Sequence, residues 1–149
     1  MKRILIAATL LLLSAAPFQR AFAQDFVVVV NAANPIKSIS KEDLSDLFLK
    51  KVTRWETKKP VVPVDQERNA KVRTVFSKTV HDRSVSSVVT YWQTQIFSGN
   101  NVPPATKPND ADVLTFIRGN ENAIGYVSAG TTLGDKVKAL SVTGLKQDK

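Results

Sequence analysis

The chain's only histidine, His81, stands directly before Asp82, the residue pair from which a general base and its orienting acid are built. A triad also requires a nucleophile and an oxyanion hole, and no Gly-x-Ser-x-Gly turn occurs in the chain. The absence of cysteine excludes a thiolate nucleophile, a disulfide framework and a Cys zinc site, and a single histidine excludes a multi-histidine metal centre. His81 falls at the expected C-terminal end of a helix, where a charged imidazole is favourable. Asp65 and Glu67 alternate at the end of a strand, which suits turn chemistry better than paired-acid catalysis. The sequence therefore names no catalytic residue, no metal ligand set and no cofactor.

Anion recognition is the chemistry that remains. Arg68, Asn69, Ala70 and Lys71 fall where a strand exits and a helix begins. The first amides of a helix lack internal acceptors and carry a partial positive potential. Arg68, Lys71 and Arg73 add positive charge, and Arg suits bidentate oxyanion contact. The bland alternative is an ordinary solvated helix start with Asn69 as its N-cap. Ligands of α/β sheets gather beyond the carboxyl ends of strands, which also makes Asn31, in the exit loop of the first strand, a candidate.

These positions depend on the elements around them. Phe26–Val30 is a continuous β-branched stretch of a strand covered on both faces. Ser40 reads as the N-cap of a helix over Lys41–Leu49, with Glu42 and Asp43 in its first turn and Lys50–Lys51 complementing its end. A second strand covers Val61–Asp65. Val72, Val75, Phe76 and Val80 form the apolar stripe of a helix over Ala70–Val80. A further helix over Val85–Phe97 is expected to bury Val85, Val88, Val89, Trp92 and Ile96, leaving Tyr91 towards solvent. Asn100–Asn109 reads as a loop, and Asp110 caps a helix through Arg118. Ala123–Ser128 and Val137–Val142 are the last two strands, with Gly125 marking a bulge or a close approach inside the first of them. Trp55 is expected to pack the connection before Pro60 onto the preceding helix. Strands interleaved with three helices in a row predict an α/β fold with a mixed four- to five-stranded sheet flanked by helices.

Residues 1–23 read as a signal peptide. Lys2 and Arg3 precede the apolar run Ile4–Leu13, and Ala21-Phe22-Ala23 supplies a small-x-small cleavage pattern. The run is shorter than the ~20 residues of a spanning helix. Cleavage near Ala23 would place a single domain, residues 24–149, in the periplasm or outside the cell. Loss of Lys2, Arg3 and Arg20 with no acid lowers the net charge from +8 to +5. That excess is spread out rather than striped, so a nucleic-acid partner is not expected.

Several segments resemble, in order, the periplasmic phosphate-binding proteins of ABC transporters. Ile39-Ser40-Lys41-Glu42-Asp43-Leu44, Leu47-Phe48-Leu49-Lys50-Lys51 and Trp55 are similar to the family's IS-x-x-x-L-x-x-I-F-x-G-K-x-x-x-W segment. Val62-Pro63-Val64, Phe76, Tyr91-Trp92, Phe97-Ser98-Gly99 and Ala123-Ile124-Gly125-Tyr126-Val127 continue the pattern. The resemblance implies the type II periplasmic binding protein fold, whose two lobes close on an anion, and the matched segments are those of the second lobe. The chain has the length of a single lobe. Where the family has an Arg-Ser-Asp-Gly-Ser-Gly-Thr loop holding phosphate, this sequence has Gln66-Glu67-Arg68-Asn69-Ala70-Lys71-Val72, without the hydroxyls.

The resulting expectation is a non-enzymatic, exported solute-binding-type protein for phosphate or another small anion. A membrane permease or sensor would be its partner, and the oligomeric state is open. The alternative is a periplasmic interaction or sensory module that has lost ligand binding.

Overall fold

The computed structural model of the protein describes residues 25–146, so the expected signal peptide lies outside the described residues. In chain order the elements are β1 (Phe26–Asn31), β2 (Ser38–Ser40), α1 (Lys41–Phe48), β3 (Val62–Gln66), α2 (Lys71–His81), α3 (Val85–Phe97), β4 (Ala105–Lys107), α4 (Asp110–Arg118), β5 (Ala123–Ser128), β6 (Val137–Ala139) and β7 (Ser141–Thr143). Five strands form one mixed sheet in the order β4-β3-β5-β1-β6, and β2 pairs with β7 in a small parallel one. β3 runs parallel to both β4 and β5, whereas β1 runs antiparallel to β5 and β6. The expected mixed, helix-flanked sheet is the one observed.

Alternation along β1 and β5 explains the unbroken apolar runs. Phe26, Val28, Val30, Ile124 and Tyr126 face α1 and α2, joining Leu44, Phe48 and Phe76 in the larger core. Val29, Ala123 and Val127 face the other way, against Val113, Leu114 and Ile117 of α4. A strand with a helix layer on each side has no polar face to offer. Gly125 is the thin point of this sandwich. A Cβ there would stand 2.8 Å from Val64 Cγ1 and 3.0 Å from Val113 Cγ1, so the close approach read from the sequence is made by buried side chains of β3 and α4.

Several boundaries differ from expectation, and β2 (Ser38–Ser40) falls where no strand is expected. The Asn100–Asn109 loop contains β4, whose three residues pair with the end of β3 but are too few to show a period. The expected strand Val137–Val142 divides into β6 and β7, which belong to different sheets, with buried Leu140 between them. The N-cap of α4 is Asn109, whose side chain accepts from the Asp112 amide at 2.9 Å. Asp110 is not the cap because its carboxylate is taken up by neighbouring elements.

α1 begins as read, with Ser40 Oγ accepting from the Asp43 amide at 3.0 Å. Its end differs. Lys51 pairs with Asp46 at 3.1 Å, and Lys50 adopts a left-handed backbone with φ 52°. Lys50 occupies the position where the resembled motif has glycine, the residue that takes this conformation without a Cβ clash. Replacing Lys50 by Gly is expected to stabilise the fold by about 0.5–1 kcal/mol, read as a rise in the urea midpoint at unchanged slope.

α3 is the least covered helix. It lies outside the α1–α2 layer, so only a narrow stripe, Val88 and Trp92, is buried, against Leu49. Val85 and Val89 are half-buried, and Ile96 is 50% exposed, contrary to the expectation that all three would be inside. Tyr91 is half-buried rather than free, its hydroxyl donating to the Leu49 carbonyl at 2.9 Å. Trp55 joins the core of α1, as expected, and its Nε1 also donates to the Asn122 carbonyl at 3.1 Å.

Candidate functional site

β3 and α2 position the candidate site, because the loop Glu67–Ala70 joins the carboxyl end of the one to the amino end of the other. Within it, Arg68 and Asn69 are exposed, Ala70 is half-buried and Lys71 is exposed. Ala70 is the N-cap of α2 and makes no side-chain cap bond, and the first turn of α2 contains no acid. Asn69 is therefore not the cap, which corrects that one detail of the solvated-helix alternative. The first bond back into the helix is the Thr74 amide to the Ala70 carbonyl at 3.2 Å, so the amides ahead of it have no partner within the helix. Arg68 and Lys71 thus flank a helix start that is positive and uncapped.

Below the loop lies a buried polar network. Asp65 Oδ1 accepts from the Gln66 amide at 2.8 Å and from the Tyr126 hydroxyl, while Asp65 Oδ2 stands 2.8 Å from Arg73 Nη1. Arg73 also donates to the Gln66 carbonyl. Gln66 Nε2 reaches Asp110 Oδ1 at 2.7 Å and the Tyr126 carbonyl at 3.0 Å. Asp110 further accepts from the Ser128 amide at 3.1 Å and from Thr131 Oγ1 at 3.3 Å. The carboxyl ends of β3 and β5 and the start of α4 are thereby tied together.

The electrostatics follow from this wiring. Burial pushes the Asp65 carboxyl up, against the pull of the Arg73 charge, the Tyr126 hydroxyl and the Gln66 amide. Burial, together with the Asp65 charge, likewise raises the Tyr126 phenol, whose ring stacks on Phe76 at 3.8 Å. Burial also acts upward on Asp110, but the hydrogen bonds from Gln66, Ser128 and Thr131 hold it below the usual carboxylate range. Arg73, expected to add surface charge to the anion site, is instead buried and spent on Asp65. Asp65 is correspondingly a buried ion-pair partner and not a turn residue.

Asn31 lies elsewhere. The pairing of Val62 with Ala123 and of Val30 with Ile124 puts it at the opposite end of the sheet from Gln66. It is the buried last residue of β1. Its amide donates to the Ile117 carbonyl at 2.9 Å and the Arg118 carbonyl at 3.3 Å, and its oxygen accepts from the Ala33 amide at 2.9 Å. It closes the end of α4. The structure brings Arg68, Asn69, Ala70 and Lys71 together and leaves Asn31 apart.

His81 and Asp82 do not form a couple. Nδ1 of His81 is 2.8 Å from Ser45 Oγ, whereas Asp82 takes the Lys41 ammonium at 2.8 and 2.9 Å. Burial, reinforced by Arg73, Arg83 and Lys51, lowers the imidazole to about 4. The charged histidine expected at the helix end is therefore a neutral one, because the ring turns inward onto Ser45 and the edge of Phe76. Among the described residues no group of three His, Cys, Asp or Glu side chains is placed to hold a metal, and no helix is long and apolar enough to cross a membrane.

A family model described as a PBP superfamily domain matches residues 16–149. Among solved structures, the chain is similar to a putative phosphate ABC transporter substrate-binding protein with bound phosphate from Clostridium perfringens. The TM-score is 0.64 at 23% identity, over 82% of this chain and 46% of that one. It is also similar to an ABC-type phosphate transport receptor from Vibrio cholerae, with TM-score 0.61 at 20% identity over 84% of this chain and 50% of the other. PstS from Borrelia burgdorferi gives 0.64 at 11% identity, over 83% and 49%. No curated protein matches. The chain spans about half the length of these solved structures, and at these identities the likeness is one of fold.

Proposed function

The chain belongs to the PBP superfamily domain family, and on that premise we propose that it is a non-enzymatic solute-binding-type protein that takes phosphate or another small oxyanion at the start of α2. The observation that carries this reading is the uncapped first turn of α2, with Arg68 and Lys71 exposed beside it and no acid within it. Amides of Lys71 and Val72 would donate to the oxyanion, and the two cations would neutralise it. The Asp65–Arg73 pair and the Gln66–Asp110 bond hold the loop in place beneath, so little ordering is required on binding. The resembled family's likeness extends the proposal to export, to the periplasm or cell exterior, and to a membrane permease as partner.

One observation favours a second reading. Ala70, Lys71 and Val72 stand where the resembled loop has Ser-Gly-Thr, so the hydroxyl donors are gone and Glu67 adds a negative charge nearby. A sensory or interaction module that has lost its ligand would look the same at this loop.

A melting titration separates the two. The binder gains stability with phosphate by RT ln(1 + [L]/Kd), about 2.7 kcal/mol at a hundredfold excess over Kd. Arg68→Ala and Lys71→Ala each weaken binding about tenfold, the value of one charge-assisted contact. A midpoint that does not move with phosphate, sulfate or small carboxylates in the millimolar range removes the binding reading and leaves the module.

A further inference from the structure

We infer that the hollow between β2, the start of α1 and the loop after α1 is a second binding site, one that takes a small zwitterion with an apolar body, an aliphatic α-amino acid of leucine's size. The cavity measures about 310 Å³, at the lower end of the range of small-ligand sites. No residue from the start of α2 lines it.

The path of the chain leaves this hollow. Ser40 is both the last residue of β2 and the N-cap of α1, so strand and helix meet at a corner. The connection after α1 returns beside that corner as a short hairpin. Arg54 bridges Pro60, the Val61 amide donates to the Thr53 carbonyl at 2.9 Å, and the Trp55 amide donates to the Lys59 carbonyl at 2.9 Å. Trp55 anchors the hairpin, buried in the core with its Nε1 on the Asn122 carbonyl. The walls are therefore built before a ligand arrives, which keeps the ordering cost of binding low.

The lining states the ligand's chemistry. Ile36, Ile39, Leu47, Val52 and Trp55 supply apolar surface, which a short branched alkyl group would remove from water. Asp43, Arg54 and Glu56 line the same cavity and are exposed. The ion pairs among the described residues lie elsewhere, on Lys41–Asp82, Lys51–Asp46 and Arg73–Asp65, so these three charges have no counter-ion there. Arg54 Nη1 is held on the Lys58 carbonyl at 2.9 Å, and Asp43 Oδ2 accepts from Ser40 Oγ at 2.7 Å. Both heads are thereby fixed, each with a second terminal atom left to reach a ligand. Inorganic phosphate would meet two carboxylates here, a plain amine would meet Arg54, and a hydrocarbon would use none of the three. A molecule with an ammonium and a carboxylate on one carbon satisfies both signs at once. Its carboxylate goes to Arg54, its ammonium to Asp43 and Glu56, and its side chain onto Leu47 and Trp55. The charged groups are exposed and screened, so the affinity is modest, in the millimolar range.

Titration of the protein with L-leucine, followed through its backbone amide and indole resonances, tests this. Saturable shifts are expected at Asp43 and Arg54–Glu56, with those of Arg68–Lys71 unmoved. Isopentylamine, which lacks the carboxylate, and isocaproate, which lacks the ammonium, are each expected to bind about tenfold more weakly than leucine. Arg54→Gln is expected to weaken leucine about tenfold while isopentylamine binds no worse, and Glu56→Gln to weaken leucine and isopentylamine but not isocaproate. Both side chains are exposed, so an unchanged melting temperature is expected in each variant. The absence of saturable shifts with leucine up to its solubility limit overturns the inference, as do shifts centred on another surface. Isopentanol binding as tightly as leucine overturns it too, since the charges would then read nothing. Variants that weaken every probe alike would do the same, because they would report a disturbed loop rather than lost charge contacts.

Discussion

Replacing Arg73 by Met is expected to cost about 3–5 kcal/mol. The guanidinium is buried beside Asp65 and also holds the Gln66 carbonyl. Without it, the Asp65 carboxylate stays buried with only the Tyr126 hydroxyl and the Gln66 amide as partners. A buried charge that loses its counter-charge suffers the full desolvation penalty, whereas removing both charges together is nearly neutral in well-packed cores. The double replacement Asp65→Leu with Arg73→Met is therefore expected to recover most of the loss. Equilibrium urea unfolding of the two single variants and the double variant measures this coupling directly. A loss below about 1 kcal/mol for Arg73→Met, the size of an exposed ion pair, would show that the pair is solvated and does not brace the loop.

Lowering the pH from 7.5 to about 4.5 is expected to remove up to roughly 3 kcal/mol of stability through His81 alone. Burial is the main cause of its displacement from 6.5 to about 4, followed by the nearby positive charges of Arg73, Arg83 and Lys51, with Asp46 pulling the other way. The folded-state value is depressed, so the unfolded chain binds more protons between pH 6.5 and about 4. Stability is then fully present above pH 6.5 and declines as the pH falls through that window. Asp65, raised by burial, contributes a slope of opposite sign at its own titration, so the wild-type curve alone mixes the two. The difference between wild type and His81→Asn isolates the histidine, because Asn keeps a hydrogen-bonding partner for Ser45 and cannot titrate. Parallel pH profiles for the two proteins would show that the imidazole is as accessible to protons in the fold as out of it.

Much of the architecture was legible because local signals and burial agree here. The β-branched run of β1, the Ser40 cap of α1 and the Val72–Phe76–Val80 stripe of α2 each state a period or a terminus that the tertiary structure preserves. What escaped depends on contacts between distant segments. β4 is three residues long and exists through its pairing with Val64–Gln66. The division of β6 from β7 depends on which neighbour each finds.

The candidate site divides in the same way. The helix start near Ala70 could be read from residue types, but its lack of a cap could not, because Asn69 beside it is a residue type that caps and only the backbone places Ala70 there instead. The network beneath could not. Asp65 and Arg73 look like exposed charges at a strand end and on a helix, and they meet because α2 folds back over β3. Tyr126 and Asp110 join them from segments far along the chain. Asn31 misled for the complementary reason. Carboxyl ends of strands mark a binding edge only for strands that run the same way, and β1 runs against β5.

Titration of the isotopically labelled protein with inorganic phosphate, followed through its backbone amide resonances, asks most directly whether the start of α2 receives an oxyanion. Saturable shifts centred on Arg68–Arg73, with the Asn31 amide unmoved and the response weakened in Arg68→Ala, are the predicted result. Resonances that stay in place throughout the titration, or that move chiefly at another surface, would contradict it.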